Sequence, residues 1–253
     1  MIGFLGTGHI TAAIVEGLST VPDAPAIIVS PRSVPIARRL VARFPNVVVA
    51  SDNQDVVERA RTVFVALRPE HVESTVRALR FSPHHLVVTL VGTMARAEVA
   101  ALVAPAVRVV RAGPIPSARR RKGPVPYFPG DDEAARLFAG FGKPLLVADE
   151  RQFHLLWCLV SLIATHFALL EDASSWVVRQ GAEAGSTRAF LGALFEALGA
   201  EGESGAFEAL RGAAATPGGL NEQALAEFRA RGGQTALTAA LESVWSRLSL
   251  DLD

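Results

Sequence analysis

The chain contains a single cysteine, Cys158, among its 253 residues. A disulfide within one chain is therefore impossible, and we expect a reducing, cytoplasmic environment. Basic and acidic residues balance at 25 each, which argues against nucleic acid or an anionic membrane as partner. The strongest apolar run, residues 155–170, is shorter than the ~20 residues that span a membrane and contains Ser161, Thr165 and His166. The first apolar segment is too short and too rich in glycine for a signal peptide.

The first fourteen residues carry the clearest pattern in the chain. An apolar run, read as a buried strand, meets Gly6 and Gly8, and residues with helical apolar spacing follow from His9. Gly6 permits a tight turn, and Gly8 lets the backbone approach a pyrophosphate, which the N–H groups of the following helix would bind. Thr11 occupies the third small position of the usual fingerprint, so we expect slightly looser packing of helix on strand. Strand before and helix after favour a dinucleotide site over a plain turn.

Strand and helix patterns alternate as far as Asp149, and the pattern is helical from there onward. The alternation predicts an α/β fold, a Rossmann-like doubly wound parallel sheet, followed by an all-α domain. We place the NAD(P)-binding domain at residues 1–148 and a helical dimerisation and substrate domain at residues 149–253. A long apolar helix, Arg151–Val178, has few polar positions, so a second copy of the chain is the expected cover. A central helix of a monomeric bundle is the alternative.

The end of the second predicted strand indicates which nucleotide binds. An NAD site normally has Asp or Glu there to bind the ribose hydroxyls, but this chain reads Ser30-Pro31-Arg32-Ser33. Arg32 and the two hydroxyls can hold a 2′-phosphate through charge-assisted hydrogen bonds. NADPH is therefore favoured over NADH, unless Arg32 is only a solvated loop residue or stacks on adenine.

With these segments in place the chain resembles the pyrroline-5-carboxylate reductase family over nearly its whole length. Five segments carry the resemblance: Gly6-Thr7-Gly8-His9-Ile10, Ser30-Pro31-Arg32-Ser33, Ala66-Leu67-Arg68-Pro69-Glu70, Arg111-Ala112-Gly113-Pro114-Ile115-Pro116 and Ala215-Thr216-Pro217-Gly218-Gly219-Leu220-Asn221. The resemblance implies NAD(P)H-dependent reduction of a cyclic imine and a homodimer with intertwined helical domains. It also implies the following cofactor-binding residues: Gly6, Thr7, Gly8, His9, Ile10, Ser30, Arg32, Ser33, Ala66, Leu67, Arg68, Pro69, Gly113 and Pro114.

The chain departs from this family where the substrate binds. A glycine-rich loop that holds the substrate carboxylate in the family corresponds to Ser161–His166, which has no glycine or proline. Asn221 stands where the family has a threonine facing the imine, and Ile115 replaces an asparagine. We therefore expect a cyclic imine acid other than, or in addition to, pyrroline-5-carboxylate.

Three residues are candidates for the chemistry of the substrate. His166 lies in the altered segment and is a candidate proton donor, since histidine exchanges protons near neutral pH. A core histidine bonded to backbone is the alternative interpretation. Asn221 is a candidate for orienting the substrate, and Thr216 is a hydroxyl candidate that could equally be a local cap.

Two other functions fit the same fold. A non-catalytic NADP-binding protein would also lack the glycine loop. A carbonyl reductase of the β-hydroxyacid type would need a lysine on the long helix, but the only lysines are Lys122 and Lys143. Histidines at metal-ligand spacing are missing from the sequence, so we expect no metal site.

Overall fold

The computed structural model describes residues 1–248 of the chain. They form two compact units, whose main segments are Met1–Trp157 and Cys158–Arg247. The second domain predicted from the sequence runs to Asp253, and its residues 249–253 lie outside the described part.

The first unit is built on a mixed eight-stranded sheet with the order β3-β2-β1-β4-β5-β6-β7-β8. The strands are β1 (Ile2–Leu5), β2 (Ile27–Val29), β3 (Val47–Val49), β4 (Thr62–Val65), β5 (Leu86–Thr89), β6 (Arg108–Ala112), β7 (Pro124–Phe128) and β8 (Lys143–Leu146). Strands β1 to β6 are parallel, whereas β7 is antiparallel to β6 and parallel to β8. The doubly wound α/β prediction is confirmed.

The strand β7 was not predicted from the sequence, and it is the strand that runs antiparallel to β6. Prolines normally exclude a segment from a sheet interior, since they donate no hydrogen bond. Here Pro126 contributes its carbonyl instead, which accepts a hydrogen bond from the backbone N–H of Gly113 at 2.9 Å. Pairing with β6 uses Tyr127 and Phe128, which lie beyond the prolines.

Helices cover both faces of the sheet. They are α1 (His9–Leu18), α2 (Val34–Arg43), α3 (Asn53–Arg59), α4 (Pro69–Val76), α5 (Arg96–Leu102), α6 (Asp132–Ala139) and α7 (Glu150–Val160), with a 3₁₀ helix at Pro116–Arg120. The alternation of side chains along a strand places Ile2 and Phe4 of β1 in one apolar cluster and Leu5 in the other. Covering both faces explains why β1, β4 and β5 read as continuous apolar runs.

Asp131 fixes the start of α6 and its link to β6. Its carboxylate accepts hydrogen bonds from the N–H groups of Glu133 and Ala134 and pairs with both Nη2 and Nε of Arg108. Burial raises the pKa of Asp131 most strongly, but the bonds from Ala134 and Arg108 outweigh it and hold the pKa below its usual value.

The second unit is helical, as predicted. Its helices are α8 (Leu162–Arg179), α9 (Ala184–Glu201), α10 (Phe207–Ala214), α11 (Leu220–Ala230) and α12 (Gly233–Leu248). Three predicted breaks contain glycines with positive φ, at Gly181, Gly218 and Gly232. The predicted long apolar helix Arg151–Val178 is present as α7 and α8, which only Ser161 separates. Ser161 itself has helical backbone angles, φ −63° and ψ −19°.

The stretch Glu150–Arg179 is long and apolar enough to cross a membrane by length and composition, with mean hydropathy 1.9. Only 17% of its most apolar window is buried in the described chain. The sequence interpretation, a helix covered from several sides, therefore requires cover that one chain does not provide. Length and apolarity alone do not distinguish a membrane span from a helix that another protein surface covers.

The second unit lacks a hydrophobic core of its own. Among its described residues only Cys158 and Thr187 are buried, and burial raises the pKa of the Cys158 thiol. Large apolar side chains such as Phe190, 67% exposed, and Trp176, 58% exposed, face outward. Burial of apolar surface is the main force that holds a helical domain together, and the described residues of this unit bury little of theirs.

Candidate cofactor-binding site

A cavity of about 480 Å³ opens at the carboxyl ends of β1, β2 and β4. The chain leaves β1 towards β2 and β3 on one side of the sheet and then crosses to β4 on the other. Such a reversal of strand order opens a crevice, where α/β folds bind their ligands. The lining residues are Gly6, Thr7, Gly8, His9, Arg32, Ser33, Ile36, Ala66, Leu67, Arg68 and His71.

The two glycines of the β1–α1 turn have different roles. Gly6 has φ +97°, and a Cβ there would collide with the carbonyl group of Ala66. Gly8 has an ordinary φ of −93°, and a Cβ there would have nothing within 4 Å. Gly6 is therefore required by the fold, whereas Gly8 leaves open space at the mouth of the cavity.

Helix α1 begins at this open space. Gly8, its N-cap residue, has no side chain to accept hydrogen bonds from the first turn, and the described first turn contains no acidic residue. Backbone N–H groups and the positive end of the helix dipole are thus available to an anion. A pyrophosphate is the group that this arrangement accommodates in dinucleotide folds.

Buried hydroxyl groups hold the turn in shape. Thr7 Oγ1 donates to the carbonyl of Ser30 at 2.6 Å, and the Ser30 hydroxyl accepts from the N–H of Gly6 at 3.0 Å. Thr11 is fully buried and donates to the Gly6 carbonyl at 2.7 Å. The structure thus places Ser30 behind the turn, where it positions the backbone. Ile10 packs against the core cluster that contains Phe4.

Positively charged or chargeable side chains surround the outer part of the cavity. Arg32 is exposed, and its Nη2 lies 3.2 Å from Nε2 of His71. Arg68 precedes α4, and His9 lies at the start of α1. None of the described lining residues is acidic, so the cavity favours an anionic ligand.

The segment Ala66–Pro69, predicted to bind the cofactor, runs from the end of β4 to the start of α4. Ala66, Leu67 and Arg68 line the cavity, and the N–H of Ala66 continues the ladder by donating to Leu5 at 2.8 Å. Pro69 occupies the start of α4, where its fixed φ favours a helix and its missing N–H is not needed. The sequence analysis missed His71, although it lies in the first turn of the helix that this segment starts.

Gly113 and Pro114 are buried beyond the end of β6 and are not among the residues that line the cavity. A Cβ at Gly113 would lie 2.5 Å from Trp157 and 2.9 Å from Phe153. Gly113 therefore lets α7 pack closely against the sheet.

The sequence analysis also missed the role of Arg111. It is 1% exposed, pairs with Glu150 and donates to the carbonyls of Gly92 at 2.6 Å and Met94 at 3.0 Å. Glu150 in turn accepts from the N–H of Arg96 at 2.9 Å. The pair links the loop after β5 to the first turn of α7.

The three predicted catalytic residues lie in the second unit, at two places. His166 is half-buried on α8, with its ring 5.1 Å from the ring of Phe195 on α9. Thr216 and Asn221 flank the turn before α11, where the Thr216 carbonyl accepts from Gly219 and Asn221 Nδ2 donates to Ala214 at 3.2 Å. Their assignment to catalysis stays a prediction.

Within residues 1–248, no group of three or more His, Cys, Asp or Glu side chains is placed to hold a metal ion.

Comparisons with known proteins agree with this geometry. The family described as NADP oxidoreductase, coenzyme F420-dependent, matches residues 1–93. Comparison with curated proteins gives no match. The sheet order and the position of the cavity define a Rossmann-like fold, which a helical unit follows.

Comparison with solved structures identifies which proteins share this fold. The 1-pyrroline-5-carboxylate reductase of Streptococcus pyogenes matches with TM-score 0.83 and 20% identity over 98% of this chain and 97% of that one. The Plasmodium falciparum pyrroline carboxylate reductase, solved with NADP bound, matches with TM-score 0.82 and 13% identity over 99% and 97%. A reductive aminase from Aspergillus terreus, in complex with NADPH and ethyl-5-oxohexanoate, matches with TM-score 0.56 and 19% identity over 79% and 73%. The chain therefore has the fold of the pyrroline-5-carboxylate reductases, which confirms the resemblance at the level of the fold.

Proposed function

We propose that this protein is an NADPH-dependent reductase of a carbon–nitrogen double bond. The observation that carries the proposal is the cavity at the β1–α1 turn, which offers an open helix N-terminus and basic side chains with no acidic lining residue. The relatives by fold that were solved with NADP or NADPH support the same cofactor.

NADPH is the preferred cofactor because Arg32 and Ser33 stand where an NAD site has a carboxylate. A charge-assisted hydrogen bond contributes about 1.5–3 kcal/mol, so Arg32→Ala should weaken NADPH binding by roughly 10–100-fold and change NADH binding little. Arg38→Ala is the matched control, because Arg38 is exposed on α2 and is not a lining residue. Equal losses for the two nucleotides in Arg32→Ala would remove the phosphate role.

The cofactor, when bound, supplies the hydride for the imine carbon. The protein must hold the two reactants together and exclude water, which accounts for much of the acceleration in such reactions. We infer that His166 donates the proton to nitrogen unless the imine arrives protonated, and that Asn221 and Thr216 orient the substrate.

The substrate is proposed to be a cyclic imine acid other than, or in addition to, pyrroline-5-carboxylate. In this chain α8 runs without interruption from Leu162 through His166 to Arg179. Residues 162–166 are thus the first part of a helix, which can offer at most the N–H groups of its first turn and not the amides of a glycine-rich loop. The proposal is that a different arrangement of groups binds the substrate carboxylate.

The test is oxidation of NADPH with a panel of five- and six-membered cyclic imines, with and without a carboxylate, and with the matching ketones. Turnover with imines alone supports the proposal. Turnover with ketones alone would favour a carbonyl reductase, a reaction for which the second unit, Cys158–Arg247, offers no lysine.

A non-catalytic NADP-binding protein is the second candidate. The helical segment at Leu162–His166, which replaces a substrate loop, is the observation that favours it. Tight NADPH binding without oxidation by any imine or ketone of the panel would establish this alternative.

We further propose that the protein is a soluble, cytoplasmic homodimer in which the helical units of the two chains pack together. Exposed apolar side chains on every helix from α8 to α12 support this, among them Phe167, Phe190, Phe207, Phe228 and Leu237. Packing against a second copy would bury them, and intertwined units would do so most fully. Analytical ultracentrifugation should give a dimer, and a helical monomer at low micromolar concentration would contradict the proposal.

A further inference from the structure

We propose that His71 belongs to the 2′-phosphate site and that NADP binding is coupled to proton uptake by its imidazole. This inference rests on the proposed function, since it requires that a 2′-phosphorylated dinucleotide occupies the cavity. It adds to that function a residue that contacts the 2′-phosphate, and it makes the affinity for NADP dependent on pH.

The geometry places the imidazole of His71 against the guanidinium of Arg32. Nη2 of Arg32 lies 3.2 Å from Nε2 of His71. A guanidinium group can only donate hydrogen bonds, so this contact is a hydrogen bond in the tautomer whose Nε2 accepts. His71 thus holds the guanidinium of Arg32 at the cavity, and protonation would replace the hydrogen bond by repulsion between two cations.

Around His71, the described residues that line the cavity are basic or uncharged, and none of them is acidic. Arg32 reaches it from the loop after β2, Arg68 lies in the loop after β4 and His9 lies on α1. On its own helix the nearest carboxylates in sequence are Glu70 and Glu73. Glu73 is paired with Arg77 at 2.7 Å.

A 2′-phosphate supplies the missing negative charge. A phosphate monoester carries a charge of about −1.5 to −2 near neutral pH and offers three strong acceptor oxygens. With the phosphate between them, Arg32 and a protonated His71 can both donate to it, and the pair no longer needs its own hydrogen bond. Opposite charge favours the protonated imidazole, so the complex binds a proton that the unliganded protein lacks.

The sign of the pH dependence follows from this uptake. Affinity for NADP⁺ should rise as the pH falls from about 8 to about 6.5, where histidine side chains gain a proton. Below pH ~6 the phosphate itself begins to protonate, so the gain should level off. Affinity for NAD⁺, which has no 2′-phosphate, should not change in this way.

Isothermal titration calorimetry in buffers of different ionisation enthalpy measures the proton uptake directly. Near pH 7.5 the wild-type protein should take up a fraction of a proton with NADP⁺ and none with NAD⁺. An uptake of about half a proton corresponds to a roughly three-fold gain in affinity per pH unit by linkage.

Two substitutions separate the two functions of His71. His71→Gln keeps an acceptor for Arg32 but cannot titrate, so it should bind NADP⁺ with no proton uptake and no gain at lower pH. His71→Phe removes the acceptor as well and should bind NADP⁺ more weakly than His71→Gln at every pH. His84→Gln is the control, because His84 is exposed and lines a different cavity.

Each other result overturns part of the account. NADP⁺ binding without proton uptake, or uptake that persists in His71→Gln, refutes the role of His71 and leaves the proposed cofactor standing. Persistent uptake that disappears in His9→Gln would assign the proton to His9. Absence of binding by either nucleotide refutes the proposed function and, with it, this site.

Discussion

Substitution of the two glycines in the β1–α1 turn should separate folding from cofactor binding. At Gly6, φ is +97° and an added Cβ would collide with the Ala66 carbonyl, whose carbon lies 2.9 Å away. At Gly8, φ is −93° and an added Cβ meets nothing within 4 Å. Gly6→Ala should therefore lower the stability of the fold, whereas Gly8→Asp should lower only the affinity for the cofactor.

The structure sets the size of each effect. For Gly6→Ala, a left-handed conformation costs about 1–2 kcal/mol and overpacking about 1–3 kcal/mol, so we expect a loss of roughly 2–5 kcal/mol. Asp is a good N-cap residue and Gly is only slightly worse, so Gly8→Asp should change stability by about 0.5 kcal/mol or less. A carboxylate ~4 Å from a pyrophosphate would oppose it by about 4 kcal/mol at an effective dielectric constant of ~20. That corresponds to a loss of affinity of roughly 100–1,000-fold.

Urea denaturation measures the free energy of unfolding, and fluorescence titration with NADPH measures affinity. Gly6→Ala should shift the unfolding transition to lower urea, and Gly8→Asp should unfold like wild type without binding NADPH. Unchanged NADPH affinity in Gly8→Asp would show that the helix N-terminus does not bind the pyrophosphate. Wild-type stability in Gly6→Ala would refute the steric argument for the turn.

Substitutions at three further residues test other parts of the account. Arg111→Met should lower the free energy of unfolding by about 3–5 kcal/mol, because it leaves Glu150 without its buried partner; a loss below 1 kcal/mol would contradict that. Asp131→Ala should lose about 1–3 kcal/mol through the cap and the pair with Arg108, whereas Asp131→Asn keeps the cap and should lose less than about 1 kcal/mol. Because the pKa of Asp131 is lowered, its contribution to stability is present above about pH 4 and is lost as the pH falls further. The melting temperature of Asp131→Asn should therefore fall less on acidification than that of the wild type. His166→Ala should lower kcat by roughly 100-fold or more with unchanged NADPH affinity if His166 is the acid, and full activity would leave it a packing role.

Features of the first unit could be predicted from the sequence where the local apolar pattern and the conformational preferences of the residues indicate the same structure. The positions of Gly6, Gly8 and the segment Ala66–Pro69 were predictable, because turns and helix starts depend on residues close in the chain. Arg32 was predictable as a lining residue, because the end of the second strand meets the crevice in any doubly wound sheet.

Other features depend on partners that are distant in sequence. The strand β7 contains two prolines and pairs through its carbonyls, so its own pattern opposes the assignment. His71 is near Arg32 only because β2 and β4 end at the same edge of the sheet. Arg111 and Glu150 meet through packing that local pattern does not encode. The break between α7 and α8 at Ser161 had no signal from proline or glycine.

The central claim is that the cavity at the β1–α1 turn binds a 2′-phosphorylated dinucleotide. The most direct measurement is calorimetric titration of the wild-type protein with NADPH and with NADH under the same conditions. We predict one site per chain and an affinity for NADPH at least about 10-fold higher than for NADH, as one charge-assisted contact to the phosphate implies. Absence of binding by both nucleotides, or equal affinity for the two, would contradict the account.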